Sequence, residues 1–311
     1  MREGGSNPLL PRNCETTSSA SHCRNVVPEM RQPVRLLNLL VLVLVSCAPA
    51  KKVTSGSPQR IISVVPSVTE MLFAFGLADK VIGVGDYDEF PPEVKTKPRV
   101  GGLINPNIEK IIGMHPDIVI TYGSQQVLTE RLQSLGIRMF PFVHGNVEQT
   151  LQFMLSLGQV VGTEERAQEV VRQIRAAFDE LRTHAPPVRP KVFIVHDRGA
   201  GTLGSFYSVG SRAFQHDLIE IAGGRNLFGD VDSETIQPTL EEVISRRPDI
   251  ILETLSPPLN ELEVAQRKRD WGRLRLAGVR IYIEGESYLL GPGPRLALAA
   301  QRISELIRNV R

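Results

Sequence analysis

Polar and aromatic side chains follow the predicted strands of this chain at the points where the strands end. A tyrosine can stack on a flat ring system, a carboxylate or an arginine can pair with a charged group, and a histidine can ligate a metal. Because open α/β sheets place their binding crevices outside the carboxyl ends of the strands, these residues predict a ligand site. The candidates are Ser67, Asp86, Tyr87, Leu103, Tyr122, His196, Arg198, Tyr207, Tyr288 and Arg295.

Three of these candidates have a competing structural role. Ser67 is followed three residues later by Glu70, which is the pattern of a capping box, so we expect its hydroxyl to cap a helix rather than to contact the ligand. Tyr87 either presents its ring to the ligand or packs on Pro91. Arg295 follows a proline at a predicted helix start, where its guanidinium can reach an anionic ligand group or pair with a nearby carboxylate.

The sequence carries no signature of a known catalytic centre. It has no Gly-x-Ser-x-Gly elbow, Walker loop or His-Glu-x-x-His motif, and the carboxylates of GDYDE are typical of a solvated turn. His144 and His196 follow predicted strands, but a bare metal site needs three or four converging ligands, whereas a single Tyr or His can ligate haem iron. We therefore expect a binding protein with no intrinsic cofactor. An envelope hydrolase and a structural lipoprotein are the alternatives of another class.

The elements that must position these residues alternate between short apolar runs and helical stretches. RIISVV, VIGV, DIVIT and IRMFPF read as buried strands of the first half, and KVFIV begins the second half. This alternation predicts an α/β fold with parallel strands.

A long amphipathic helix separates the two halves. Counting from Thr163, apolar residues recur at the three-and-four spacing of one buried face, and HAPPVRP ends the pattern. About twenty residues at a 1.5 Å rise give a rod of ~30 Å.

The second half repeats words of the first half in the same order. NIEKIIGMHPDIVI from Asn107 is echoed by TLEEVISRRPDIIL from Thr239, and LGIRMF from Leu135 is echoed by AGVRIY from Ala277. We therefore predict two related α/β lobes joined by the long helix, with the ligand cleft between the lobes.

The amino-terminal part predicts export. Residues 36–45 are apolar apart from one asparagine, follow Arg31 and Arg35, and are too short to span a bilayer, which needs ~20 residues. The sequence Leu-Val-Ser-Cys that ends at Cys47 resembles the lipobox of bacterial lipoproteins. This resemblance implies cleavage before Cys47 and a lipid on its sulfur. Translation from Met30 is expected, with 1–29 a non-native or disordered extension, 30–46 the signal peptide and 47–58 a tether.

Removal of the leader changes the charge of the chain. Residues 1–46 hold five Lys or Arg and three Asp or Glu, so the remainder has 31 basic and 31 acidic residues. A neutral chain has no electrostatic footprint for nucleic acid. Cys14 and Cys23 also lie in the leader, so the exported chain can form no internal disulfide.

Residues 59–311 resemble the helical-backbone (class III) solute-binding proteins of bacterial ABC importers, the family that carries iron compounds and vitamin B12. The motifs that carry this resemblance include RIISVVPSVTEMLFAFGL, RVGG, GGRNLF and GPRLALAAQRI, besides the echoed segments. GDYDEFPP points to the vitamin B12-binding proteins. The resemblance implies an N-lobe at 59–145, a connecting helical segment at 146–185 and a C-lobe at 190–311.

The resemblance also implies partners and roles. The ligand would be a corrinoid, or alternatively haem or a ferric siderophore, and the protein a lipid-anchored, extracytoplasmic monomer. Tyr87 matches a cleft tyrosine of the B12-binding proteins, whereas Leu103 stands where these relatives place a tryptophan. Glu109 and Glu241 match the acidic residues with which these relatives dock on the permease dimer that works with an ATPase.

Overall fold

The computed structural model describes residues 56–199, 201–256 and 260–309. The predicted extension, the signal peptide, Cys47 and the tether up to residue 55 lie outside the described residues. Within the described part, no helix is both long enough and apolar enough to cross a membrane.

The N-lobe is built on a parallel sheet of four strands. Its strands lie in the order β2-β1-β3-β4, and the helices that follow them pack on this sheet. The elements are β1 Ile61–Ser63, α1 Pro66–Ala74, β2 Val81–Val84, α2 Ile108–Gly113, β3 Ile118–Tyr122, α3 Gln126–Ser134 and β4 Arg138–Phe142.

The C-lobe contains a second parallel sheet, in the order β10-β9-β5-β7, and a small antiparallel pair, β6 with β8. If β1 is matched with β5 and β3 with β9, the two parallel sheets have the same strand order. The elements are β5 Lys191–Val195, β6 Ser208–Val209, α6 Phe214–Ile221, β7 Arg225–Asn226, β8 Thr235–Ile236, α7 Leu240–Arg246, β9 Ile250–Thr254, α8 Glu261–Gly272, β10 Arg280–Glu284 and α9 Leu296–Arg308.

The aspartate of each repeated Pro-Asp pair accepts backbone hydrogen bonds at the same place in both lobes. The Asp117 carboxylate accepts the backbone N–H groups of Gln59 and Arg60 at 2.8 and 2.9 Å, at the start of β1. The Asp249 carboxylate accepts the backbone N–H of Lys191 at 2.7 Å, at the start of β5. Each aspartate therefore ties the beginning of its own strand to the beginning of the neighbouring central strand.

Two antiparallel helices connect the lobes, α4 Val147–Val161 and α5 Glu164–Thr183. Asn146 begins α4 with a capping box, and Gly162, with φ of 75°, turns the chain between the helices. At Gly158 a Cβ would lie 2.4 Å from the Ala167 side chain, so only glycine allows this approach. The long helix predicted from Thr163 is confirmed, and its apolar face is buried.

The predicted capping box at the start of α1 is wrong. The helix begins at Pro66 with Val65 as N-cap, and no side chain caps it. Ser67 is consequently inside the first turn, and Glu70 pairs with Arg295 instead. A proline at the first helical position already lacks the N–H that a cap would satisfy. The predicted α/β fold with two related lobes and a connecting helix is confirmed.

Candidate functional site

A hollow of about 300 Å³ lies at the carboxyl ends of the N-lobe strands. It is lined by three loops, which follow β1, β2 and the short segment that ends at Val100, and by the last residue of β3. Most of its wall is apolar and aromatic, and Asp86 adds a carboxylate at the edge. The lining residues are Val64, Pro66, Gly85, Asp86, Tyr87, Gly102, Leu103, Ile104, Asn105 and Tyr122.

Tyr87 forms an exposed shelf in this hollow, with 75% of the residue accessible. Its ring lies directly over Gly102, where a Cβ would be 3.0 Å from a ring carbon. The backbone N–H of Asp86 donates to the Gly101 carbonyl at 3.2 Å, which joins the two loops beneath the ring. The structure thus shows Tyr87 packed on a glycine, with the other ring face open.

The next loop adds two exposed apolar side chains beside this ring. Leu103 is 41% exposed and Ile104 is 94% exposed. Ile104 is not among the residues predicted from the sequence, although an isoleucine in a Gly-, Asn- and Pro-rich loop indicates an apolar contact surface. An apolar, solvent-facing patch of this kind at strand ends is typical of a ligand site.

Gln125 links two segments that line the hollow, and it is also not among the residues predicted from the sequence. Its side-chain oxygen accepts the backbone N–H of Tyr122 at 3.0 Å, and its side-chain nitrogen donates to the Leu103 carbonyl at 2.9 Å. The side chain is buried, so it fixes one loop of the hollow to the end of β3. Sequence alone gives a weak signal for it, since a glutamine at a helix start is usually exposed.

Tyr122 closes one side of the hollow. Its ring stacks on His144, with ring centroids 5.9 Å apart and an angle of 14° between the planes. Burial, with a smaller contribution from the charge of Asp88, raises the pKa of Tyr122 to about 12. The phenol is therefore neutral at physiological pH and can donate a hydrogen bond.

Asp88 follows Tyr87 in the loop after β2, and it is fully buried. Neither carboxylate oxygen has a hydrogen-bond partner within the described part of the chain. Burial is the main cause that raises the pKa of Asp88 to about 7, and the positive charge of Arg99 opposes the shift. A buried carboxyl with this pKa carries its proton for part of the time near neutral pH.

The loop after β5 lies at the carboxyl ends of the C-lobe strands. The backbone N–H of His196 donates to the Tyr207 carbonyl at 2.8 Å, and the Tyr207 N–H donates to the Asp197 carbonyl at 2.9 Å. Tyr207 is 45% exposed, and Asp197 is exposed beside it. These two side chains are the outward-facing groups of the loop.

His196 is held as a neutral imidazole. Thr254 Oγ1 donates to the Val195 carbonyl at 3.2 Å, so it accepts from His196 Nδ1 at 3.1 Å. Nε2 is then an acceptor, and it has no partner among the described residues. Burial lowers the pKa of His196 to about 4, which agrees with a neutral ring.

Arg198 does not face the cleft, so its predicted ligand contact is wrong for this structure. Its side chain is fully buried and pairs with Glu253 at 3.0 Å and with Asp270 at 3.1 Å. In the loop after β5 the side chains alternate, so Arg198 points inward while its neighbour Asp197 is exposed.

Arg295 pairs with a nearby carboxylate, and this pairing is the second of the two roles predicted for it. Its guanidinium makes a two-pronged contact with Glu70 at 2.6 and 2.8 Å and donates to Ser287 Oγ at 2.9 Å. It also lies over the Phe90 ring at 4.0 Å and near the Tyr288 ring at 5.6 Å. These contacts border a separate hollow of about 360 Å³.

The structure brings together four of the ten predicted ligand residues: Asp86, Tyr87, Leu103 and Tyr122 line the N-lobe hollow. Ser67 is buried behind it, against the loop that contains Gly291 and Gly293. Tyr288 packs on the core beside Arg295. In the part of the chain that the structure describes, no three His, Cys, Asp or Glu side chains group as metal ligands.

Glu109 and Glu241 occupy the same place in the two lobes. Asn107 caps α2 and Thr239 caps α7, and each glutamate is the second residue of its helix. Both side chains are exposed. The two carboxylates therefore form a matched pair, one on the surface of each lobe.

Comparison with known proteins gives consistent relatives. A family model described as periplasmic binding protein matches residues 61–266. A vitamin B12-binding protein of Photorhabdus laumondii is 27% identical over 257 residues, which cover 82% of this chain and 90% of the relative. The fold is similar to the periplasmic vitamin B12 binding protein of Vibrio cholerae, with a TM-score of 0.68, 22% identity, and coverage of 82% and 98%. It is also similar to a periplasmic heme-binding protein of Roseiflexus, with a TM-score of 0.68, 23% identity, and coverage of 82% and 99%.

Proposed function

We propose a function that starts from one premise: this chain belongs to the periplasmic binding protein family. Proteins of this family are extracytoplasmic, bind small ligands and work with ABC importers. Ligands such as vitamin B12, haem or siderophores are their transport substrates rather than their cofactors.

The ligand that we propose is a corrinoid. The observation that carries this proposal is the shelf made by Tyr87, whose ring rests on Gly102 and leaves its outer face open. A flat macrocycle can stack on such a ring, while Leu103 and Ile104 cover its apolar edge. Asp86 and the neutral phenol of Tyr122 would meet polar groups at the rim of a corrin. The relatives named for vitamin B12 support the same choice.

Haem or a ferric siderophore is the second candidate. The observation that favours haem is His196, a neutral imidazole whose Nε2 has no partner among the described residues. Such a nitrogen is the axial ligand that haem iron accepts. Because Nε2 is also shielded from solvent in this structure, haem ligation requires the loop after β5 to open.

Delivery would use the matched carboxylates. We propose that Glu109 and Glu241 each meet one basic residue of a permease dimer, whose ATPase drives uptake. Carboxylates in a first helical turn are also favoured by the helix dipole, but the dipole does not require the same position in both lobes. The ligand-binding unit would act as a monomer between the two permease subunits.

Anchoring by Cys47 belongs to the same proposal. The lipobox-like sequence implies a lipid that keeps the receptor at the membrane, and several acyl chains are needed for stable attachment. Cys47→Ser should release the protein from membranes without loss of ligand binding. Equal retention of the variant in a membrane fraction would refute the anchor.

The test of the function is purification from a lysate supplemented with cyanocobalamin, followed by an absorbance spectrum and calorimetric titration. We expect one equivalent of bound corrinoid. Titrations with hemin and with a ferric catecholate complete the comparison, since the three chromophores absorb differently. Tight binding of hemin with none of cyanocobalamin would replace the corrinoid by haem. No binding of any of the three would refute the proposed ligand class.

A further inference from the structure

Trp271 packs beneath the loop after β5. It is buried, with 1% of the residue exposed, and it is the single tryptophan of the sequence. Its ring stacks on Phe206 at 5.4 Å and 14°, and the Arg198 guanidinium lies over it at 5.4 Å. Arg198 and Phe206 are the inward neighbours of the outward-facing Asp197 and Tyr207. The loop after β5 is thus held on Trp271 by its inward-facing residues, Arg198 and Phe206.

Four buried charges surround this tryptophan. Arg198 pairs with Glu253 at 3.0 Å and with Asp270 at 3.1 Å, and Arg267 also donates to Glu253. The indole N–H of Trp271 donates at 2.8 Å to Oε2 of Glu253, the oxygen that Arg198 also contacts, whereas Arg267 contacts Oε1. Two guanidinium groups and two carboxylates balance, so the group is neutral as a whole although it is shielded from water.

The charges also hold the backbone of the loop. Arg198 donates to the Thr202 carbonyl at 3.0 Å, and Asp270 accepts the backbone N–H of Gly201 at 2.9 Å. Arg267 donates to the carbonyl of Arg198 at 3.3 Å. The loop that carries Tyr207 is therefore tied to α8 and β9 by polar contacts as well as by the aromatic stack.

A contribution to folding stability does not by itself explain why these four charged side chains are buried together. Desolvation offsets much of the attraction within a buried ion pair, and apolar side chains of similar volume often serve the fold equally well. Apolar side chains would not, however, donate to or accept from the loop backbone. The hydrogen bonds of Arg198, Arg267 and Asp270 therefore set the position of the loop after β5.

We propose that Asp270 and Trp271 are positioning residues of the ligand site, which fix Tyr207 and Asp197 in the orientation that meets the ligand. Neither residue touches the ligand. The inference rests on the proposed function for its binding test, but the order of the loop can be measured without any ligand.

The first experiment is hydrogen exchange in the ligand-free protein. Asp270→Asn keeps the shape of the side chain but removes one charge of the balanced group. We expect exchange of the amides at residues 201–207 to rise by about tenfold, while amides of β3 in the N-lobe stay protected. Arg273→Gln is the matched control, since the Arg273 side chain is 66% exposed and contacts the other oxygen of the same carboxylate at 3.5 Å, whereas Gly201 and Arg198 contact Oδ2. Unchanged exchange in Asp270→Asn would overturn the proposal.

The second experiment is a double-mutant cycle with cyanocobalamin as the probe. Asp270→Asn and Tyr207→Ala should each weaken binding by about tenfold, and the double variant should be little weaker than either single variant. This non-additivity is expected because Asp270 acts through Tyr207, whereas general loosening of the fold gives additive losses. Additive losses, or a Tyr207→Ala variant that binds as tightly as the wild type, would overturn the role.

A milder variant guards against misfolding. Trp271→Phe keeps an aromatic ring against Phe206, removes the N–H that Glu253 accepts and leaves a smaller side chain. We expect it to fold, with exchange raised at the same amides, and exchange like the wild type would count against the proposal. If wild-type protein binds no cyanocobalamin, the corrinoid assignment fails, and the exchange measurements alone decide whether the loop is held in this way.

Discussion

Glu70 and Arg295 join the two lobes by a two-pronged ion pair. The carboxylate lies in α1 of the N-lobe, and the guanidinium lies 225 positions later at the start of α9 in the C-lobe. The side chains are only 13% and 15% exposed. The Phe90 ring of the N-lobe covers the guanidinium at 4.0 Å. The pair therefore joins the two lobes at the border of the separate hollow that Glu70 and Arg295 line.

Loss of this pair should destabilise the protein. Arg295→Gln leaves the Glu70 carboxylate shielded and without its cation, so we expect a loss of about 2 kcal/mol or more in the free energy of unfolding. Arg295→Lys should recover only part of this loss, because an ammonium group cannot make the two-pronged contact. Urea unfolding followed by Trp271 fluorescence and circular dichroism measures both.

Arg302→Gln is the control for this prediction. Arg302 lies on the same helix and pairs with Glu284 inside the C-lobe, but its side chain is 36% exposed. We expect a smaller effect, since solvent screens an exposed pair. Equal losses of unfolding free energy in the two variants would show that the ion pair between the lobes stabilises the protein no more than an exposed ion pair does.

Asp88 should make stability depend on pH. Burial raises the pKa of this carboxyl from 3.8 to about 7, so the folded state keeps a proton that the unfolded state releases between about pH 4 and 7. The contribution of Asp88 is therefore fully present below pH 4 and is lost as the pH rises to about 7. The slope is at most ~1.4 kcal/mol per pH unit within this window.

Asp88→Asn removes this titration while it keeps the size of the side chain. We expect the variant to be more stable than the wild type at pH 8 by a few kcal/mol, and the difference to shrink towards pH 4. Urea unfolding at several pH values measures the difference. A constant difference across the range would mean that Asp88 does not titrate between the two states.

Tyr87 should contribute to affinity mainly through its ring. Tyr87→Ala should weaken binding of the corrinoid by ~1–3 kcal/mol, the range for loss of a packed aromatic anchor, while Tyr87→Phe should change it little. Calorimetry with cyanocobalamin provides the measurement. Val127→Ala is the control, because Val127 is equally exposed at 75% but lies on α3 outside the hollow. Unchanged affinity in Tyr87→Ala would place the ligand elsewhere.

Glu109 and Glu241 should matter for uptake and not for capture. The double variant Glu109→Arg with Glu241→Arg should bind ligand and unfold like the wild type, yet support no uptake in vesicles that contain the importer. High salt should weaken the wild-type complex, since exposed charges are screened over ~8 Å at physiological ionic strength.

The control for docking is the same charge change at Glu130 and Glu180, which are exposed on α3 and α5. This variant should support normal uptake. Wild-type uptake by the Glu109 and Glu241 double variant would leave only the helix-dipole role for these residues.

Features that depend on local periodicity could be read from the sequence. The apolar residues of α5, from Ala167 to Leu181, recur on one face of a helix, and that face is the buried one. The echoed Pro-Asp segments predicted two related α/β lobes, because a repeated pattern of strand and helix folds in the same way twice. Cleft residues at strand ends followed from the general geometry of parallel sheets, and four of them do line one hollow.

Features that depend on distant partners were decided by the tertiary structure. Glu70 looked like part of a capping box because its nearest polar neighbour is Ser67, but the folded chain offers it Arg295 from the other lobe. Arg198 is one residue from an outward-facing aspartate, and the alternation of side chains along the loop after β5 turns it into the core. The sequence by itself determined which segments form helices and strands, since those depend on neighbours within a few residues. Only the packing of the lobes determined which charge meets which, because that depends on the positions of groups far apart along the chain.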